Sequence, residues 1–180
     1  MKNGAEDTGD AAVDNEETIM TKPTKEELKK SITSFVEDHH NAPYGYIEHI
    51  IRRDYLDCDP EAGWVDYTFT IPPEAANIIG TVHGGYIAAI SDETMGITAT
   101  GFMNDEDAAV TTLDYQLNTI KAMHVGDKIR MRCSVEHIGS RTVLAHAVMY
   151  RGDEITAMAT ENFAHLSKSK IKFVDFKTMK

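Results

Sequence analysis

Cysteine and basic charge are both scarce in this sequence. Its two cysteines, Cys58 and Cys133, are far apart and lack the spacing of metal ligands, so they read as two free thiols of an intracellular protein rather than a disulfide framework. Lysine and arginine total 18 against 29 acids, a formal net charge of −11. A surface of that sign repels phosphates, which argues against a nucleic-acid or membrane partner. Long apolar runs are also missing. The most apolar stretch, Tyr86 to about Met103, carries two acids, two glycines and several threonines, short of the roughly 18 uncharged apolar residues that cross a bilayer. Residues 1–20 hold six acids and one lysine, the wrong sign for a secretory or import leader. A cytoplasmic location is expected.

What is present suits one domain with terminal extensions, since 180 residues with 42% hydrophobic content can bury a core. Residues 1–20, acidic and nearly free of large apolar groups, are expected to be a disordered tail. Residues 21–44 carry an amphipathic helix: Thr24 and Glu27 form a capping box, and Leu28, Ile32, Phe35 and Val36 recur on one face to about His39. The adjacent His39 and His40 face different ways on a helix with no third ligand near, so no metal is expected there. Alternation predicts strands over Ile47–Asp57 and Trp64–Ile71, the second stopped by Pro72-Pro73. The apolar stretch predicts a buried helix ending near Asn104. Four strands should follow, over 109–120, 128–137, 141–150 and 154–165, joined by short turns at Gly126, Gly139 and Gly152. Residues 167–180, with five lysines against one aspartate, form a basic tail. This order predicts an α+β fold in which a curved antiparallel sheet wraps one long helix. One sheet face covers only part of a helix apolar nearly all round, so a second copy of the chain is expected to cover the rest.

Two features carry chemistry. The turn Asn77 to Gly85 ends in His83-Gly84-Gly85 at a helix start, where unpaired N–H groups and the helix dipole favour an oxyanion. The tripeptide serves equally as a tight turn. Asp92, seven residues after Gly85, returns to almost the same helix face about 10 Å along the axis. A base must sit within about 3 Å of the water it activates, so one site needs Gly84 and Asp92 from two antiparallel helices. A buried acid in a structural role is the bland alternative for Asp92. Glu93 points about 100° away, towards solvent or an interface. On strand 109–120, Thr112, Asp114, Gln116 and Asn118 share a polar face that either lines a wet cleft or meets solvent.

Asn77-x-x-Gly80-x-x-His83-Gly84-Gly85, then Asp92, then Thr112-Leu113-Asp114-Tyr115 on the following strand, resembles the hotdog-fold acyl-CoA thioesterases of the phenylacetic-acid-degradation and thioesterase-superfamily-member type. The resemblance covers about residues 45–166 and implies a hotdog thioesterase domain there. It implies an acyl-CoA substrate hydrolysed at the interface of a homodimer, two of which form a homotetramer, with no cofactor or metal. Gly84 would supply the oxyanion N–H and the partner's Asp92 the general base or nucleophile. Asn77 would orient the thioester or the water, and His83 would hold the loop. Thr112 stands where close relatives place a serine that helps hold the attacking water. Gly85 and the hairpin carrying His137, Gly139, Ser140 and Arg141 would meet the coenzyme, as would His165, with Arg141 at a phosphate. A non-catalytic acyl-CoA sensor or carrier is the alternative. A dehydratase would need a histidine base on the helix, where only acids stand.

Overall fold

The computed structural model describes residues 21–41 and 47–171. The expected acidic tail and residues 172–180 of the basic tail lie outside them. The first helix, α1 (Lys25–His40), starts at the capping box: the Thr24 side chain accepts from Glu27 N–H, and the Glu27 carboxylate accepts from Thr24 N–H at 2.8 Å. Its Leu28, Ile32 and Val36 are buried.

Six strands follow: β1 (Asp54–Asp59), β2 (Trp64–Thr70), β3 (Ala108–Thr119), β4 (Lys128–Ile138), β5 (Thr142–Arg151) and β6 (Glu154–Ser167). They form one antiparallel sheet in the order β1-β2-β4-β5-β6-β3. The second helix, α2 (Gly84–Met103), lies between β2 and β3 in the chain and packs on the sheet. This is the hotdog arrangement.

The strand expected from Ile47 begins only at Asp54. Residues Ile47–His49 form a 3-10 turn, in which Ile47 C=O accepts from both Ile50 and Ile51 N–H. Alternation alone could not separate a short turn from a strand, because Ile51 and Arg53 are buried in either case.

Small residues let α2 sink into the sheet. Ala145, Ala147, Ala157 and Ala159 face it from β5 and β6 and are almost wholly buried. On its other side α1 approaches at Gly101, where a Cβ would stand 2.9 Å from Ile32 Cδ1. The hydroxyls buried in α2 bond back to their own helix: Ser91 to Ile87 C=O at 2.6 Å and Thr98 to Thr94 C=O at 2.7 Å. The serine and threonine hydroxyls of α2 thus meet an apolar core with acceptors in their own helix, while the buried Tyr86 hydroxyl has no partner among the described residues.

Candidate active site

The 77–82 loop and the start of α2 build the first half of the site. Asn77 organises the loop: its Oδ1 accepts from Ile79 and Thr81 N–H, and its Nδ2 donates to Thr81 Oγ1 at 2.8 Å. In this conformation the Asn77 amide is engaged with the loop rather than turned outward. The loop is anchored to its surroundings by Val82 N–H to Met123 C=O and His83 N–H to Ala75 C=O. His83 caps α2, its Nδ1 accepting from Gly85 N–H at 2.9 Å. That bond occupies the Gly85 donor. Gly84 N–H remains without an acceptor among the described residues, and no atom lies within 4 Å of where its Cβ would be.

Asp92 lies two turns along α2 and is half-buried. Thr112, 20 residues on in the chain, donates to Asp92 Oδ1 at 2.7 Å. Three residues on from Thr112 along β3, Tyr115 reaches the same helix: its hydroxyl lies 2.6 Å from Ser91 Oγ, beside Asp92. A β-bulge produces this pairing, because the β3–β6 register slips between Thr112 and Asp114. Val110 and Thr112 therefore turn towards α2 before the bulge, and Tyr115 and Leu117 after it. The single polar face expected from Thr112 to Asn118 is accordingly broken. Asp114 points away, accepting from Asn162 Nδ2 at 3.1 and 3.0 Å.

Asp92 borders a cavity of about 410 Å³. Phe35 and His39 of α1 form one wall, Gly96 the α2 side, and Val110 and Phe163 the sheet side. Glu93, expected at solvent or an interface, is half-buried in this wall, 3.7 Å from His39 Nδ1. Burial pushes the His39 imidazole down to about 4, so at neutral pH that contact is with an uncharged ring. Burial also raises the Glu93 carboxyl, opposed by the nearby Arg53 guanidinium. The other histidine of the pair, His40, lies 2.8 Å from Arg53 C=O through Nε2.

The residues expected at the coenzyme gather at one end of the sheet. The β4–β5 turn carries Gly139, Ser140 and Arg141, closed by Gly139 N–H to Thr142 C=O at 2.8 Å. His165 on β6 joins it through its backbone N–H to Arg141 C=O at 2.9 Å. The side chains of His137, Ser140 and Arg141 are exposed. His165 stands two residues from Phe163, about 7 Å along the strand, which links this end to the cavity.

One acid escaped the sequence reading. Glu161 on β6 is fully buried, opposite Tyr115 on β3 and Ala145 on β5. Neither of its oxygens has a hydrogen-bond partner among the described residues, and burial, with Asp92 nearby, pushes the carboxyl up to about 10 against an opposing effect of Thr112. The sequence did carry a signal: Ala157, Ala159, Glu161 and Phe163 share one parity, so an acid sits on an otherwise apolar face.

Known proteins share this fold. Residues 79–158 match the family model described as the thioesterase superfamily. A Pseudomonas aeruginosa protein that bears an esterase's name is 27% identical over 84 residues, 47% of this chain; the aligned stretch spans 62% of that relative's length. A Streptococcus mutans protein solved bound to acetyl CoA shares the fold at a TM-score of 0.59 and 21% identity, covering 72% of this chain and 96% of its own. A hypothetical thioesterase protein of Streptococcus pneumoniae, solved with coenzyme A, does so at 0.61 and 19%, covering 73% and 97%. The strand order around α2 is that of the hotdog fold, and the match to the thioesterase superfamily covers residues 79–158, under half of the chain. No helix among the described residues is long and apolar enough to cross a membrane.

Proposed function

We propose that the protein is an acyl-CoA thioesterase, releasing free acid and CoA, in which Asp92 activates the attacking water. The observation that carries this reading is the Thr112–Asp92 hydrogen bond at the edge of a cavity. An ionised carboxylate offers about four lone-pair positions, so one bond from Thr112 fixes its orientation and leaves others for a water. The water adds to the thioester carbonyl carbon as Asp92 takes its proton. Gly84 N–H of a second copy receives the oxyanion, and collapse expels the CoA thiolate, to which Asp92 returns the proton. Asn77 and His83 hold the turn that presents Gly84.

A dimer is required because Gly84 and Asp92 are eight residues apart on one helix, about 12 Å. Two features support a second copy. Strand β3 is a 12-residue edge with Leu113 58% exposed, and Ile79 on the Gly84 loop is 77% exposed. Two such dimers would form a homotetramer. CoA lies along the end formed by Gly85, His137, Gly139, Ser140, Arg141 and His165, with Arg141 at a phosphate. The solved neighbours with acetyl CoA and coenzyme A support this ligand class. The proposed reaction calls on no metal or cofactor, and a cytoplasmic location is part of the proposal.

Thiol release from a panel of acyl-CoAs tests the reading, with wild type beside Asp92→Asn. Loss of a general base lowers kcat by about a hundredfold or more while acyl-CoA still binds. Unchanged hydrolysis by the variant would remove Asp92 from the reaction, and binding without turnover by wild type would make the protein an acyl-CoA sensor or carrier.

A further inference from the structure

Beneath the Asp92–Thr112 pair lies an acid that the proposed reaction does not use. Glu161 is 0% exposed, and no described group donates a conventional hydrogen bond to either of its oxygens. The strand register nevertheless sets Glu161 beside that pair: it faces Tyr115, whose hydroxyl meets Ser91 next to Asp92, and Phe163, two residues on, faces Thr112. The two observations agree once a proton sits between the acids. Two carboxylates repel, whereas a carboxylic acid donates to a carboxylate.

We infer that Glu161 is a positioning residue for the reaction: a buried carboxylic acid that keeps its proton and donates it in a hydrogen bond to Asp92, holding the base ionised and correctly aimed. The inference rests on the reading of Asp92 as the base. Burial and the acids packed near Glu161 favour the neutral form, and Thr112 on β3 opposes them. Helix α2 presents Asp92 and Glu93, β3 presents the Tyr115 phenol, and β4 the Cys133 thiol. Strand β5 offers only Ala145 opposite. Burial and the neighbouring Asp92 and Glu93 are what chiefly raise Glu161. Burial in such company disfavours charge, and the carboxyl is accordingly pushed up to about 10. Asp92 is then held on two sides: Thr112 donates from the strand beside it, Glu161 from the sheet below.

This arrangement differs from a plain structural acid in what it asks of a replacement. An amide in place of the acid keeps a donor towards Asp92 but has no proton to lose; an alkyl group keeps the bulk and loses the donor. Wild-type kcat should fall as pH rises towards about 10 and Glu161 ionises beside Asp92. Glu161→Gln should keep kcat within about threefold at neutral pH and lose that alkaline fall, while Glu161→Leu should lower kcat about tenfold or more with KM little changed.

The deciding experiment combines these pH profiles with infrared difference spectroscopy on the intact protein. Wild type at neutral pH should show the carbonyl band of a protonated, hydrogen-bonded carboxylic acid that is missing in Glu161→Gln. Absence of that band, or a Gln variant as impaired as the Leu variant at neutral pH, would overturn the inference. The spectrum requires only a folded Gln variant. It also separates two failures: if Asp92→Asn hydrolysed normally, the reading of Asp92 as base would fall, whereas a missing band would remove Glu161 alone.

Discussion

The Thr112 hydroxyl donates to Asp92 Oδ1 at 2.7 Å, joining the last residue before a β-bulge to the middle of the buried helix. The bond ties the proposed base to the sheet at a point where β3 departs from regular alternation. A hydroxyl donor, not a serine as such, is what the geometry needs.

Thr112→Ser should therefore retain most of the activity, because it keeps the hydroxyl and sheds only a methyl. Thr112→Val keeps the shape and removes the donor to a charged acceptor, a loss of about 2 kcal/mol or roughly thirtyfold in kcat. Steady-state thiol release from both variants checks this. A Val variant at wild-type rate would show that Asp92 is oriented by other groups.

Glu161 makes a second prediction, on stability. Its carboxyl sits at about 10 in the folded protein against an ordinary 4.5. A group raised in this way contributes stability that is fully present below about pH 4.5 and is lost as pH rises towards 10. Glu161→Gln has nothing to protonate on folding. Relative to wild type it should melt about 3 °C or more higher at pH 8 and lose that advantage at pH 4, read by thermal denaturation at both values. An equal difference at the two pH values would show that the acid is ionised in the fold.

The thiols supply a third. Cys58 and Cys133 are both free and fully buried, and burial pushes the Cys133 thiol up to about 12. Thiolate is the reactive form, so neither should label with an aromatic disulfide reagent in the native state, and both should label on unfolding. Rapid labelling of the folded protein would contradict the packing of β1 and β4 against the helices.

Much of this fold was legible because its signals are periodic. The capping box at Thr24 and Glu27, the parity of Trp64–Thr70 and the apolar stretch from Tyr86 each act over short range, and the elements form where those patterns stand. The site was partly legible for the same reason, since the Gly84–Asp92 offset is a property of one helix. Three features were not, two of them because they depend on pairing between distant segments. The bulge at Thr112 arises from the β3–β6 register, the turn at Ile47–His49 from local backbone bonds that mimic a strand's burial, and the placement of Glu161 opposite Tyr115 from a crossover that carries β3 to the far edge beside β6. Glu161 was visible as an acid of apolar parity, but nothing in the sequence said which residue it would meet.

The central claim is that one site is shared by two copies of the chain, and a mixing experiment tests it most directly. Gly84→Pro deletes the N–H proposed to bind the oxyanion. Proline suits this position, since Gly84 is the first residue of α2, no atom crowds its Cβ position, and His83 before it is already extended at φ −67 and ψ 132. Alone, Gly84→Pro and Asp92→Asn should each lose about a hundredfold in kcat. Unfolded together, mixed in equal amounts and refolded, they should recover about one quarter of wild-type activity, because half the dimers are hybrids and each hybrid holds one site with both Gly84 and Asp92. Hybrids verified by mass that stay as inactive as their parents would place Gly84 and Asp92 in separate roles and contradict the shared site.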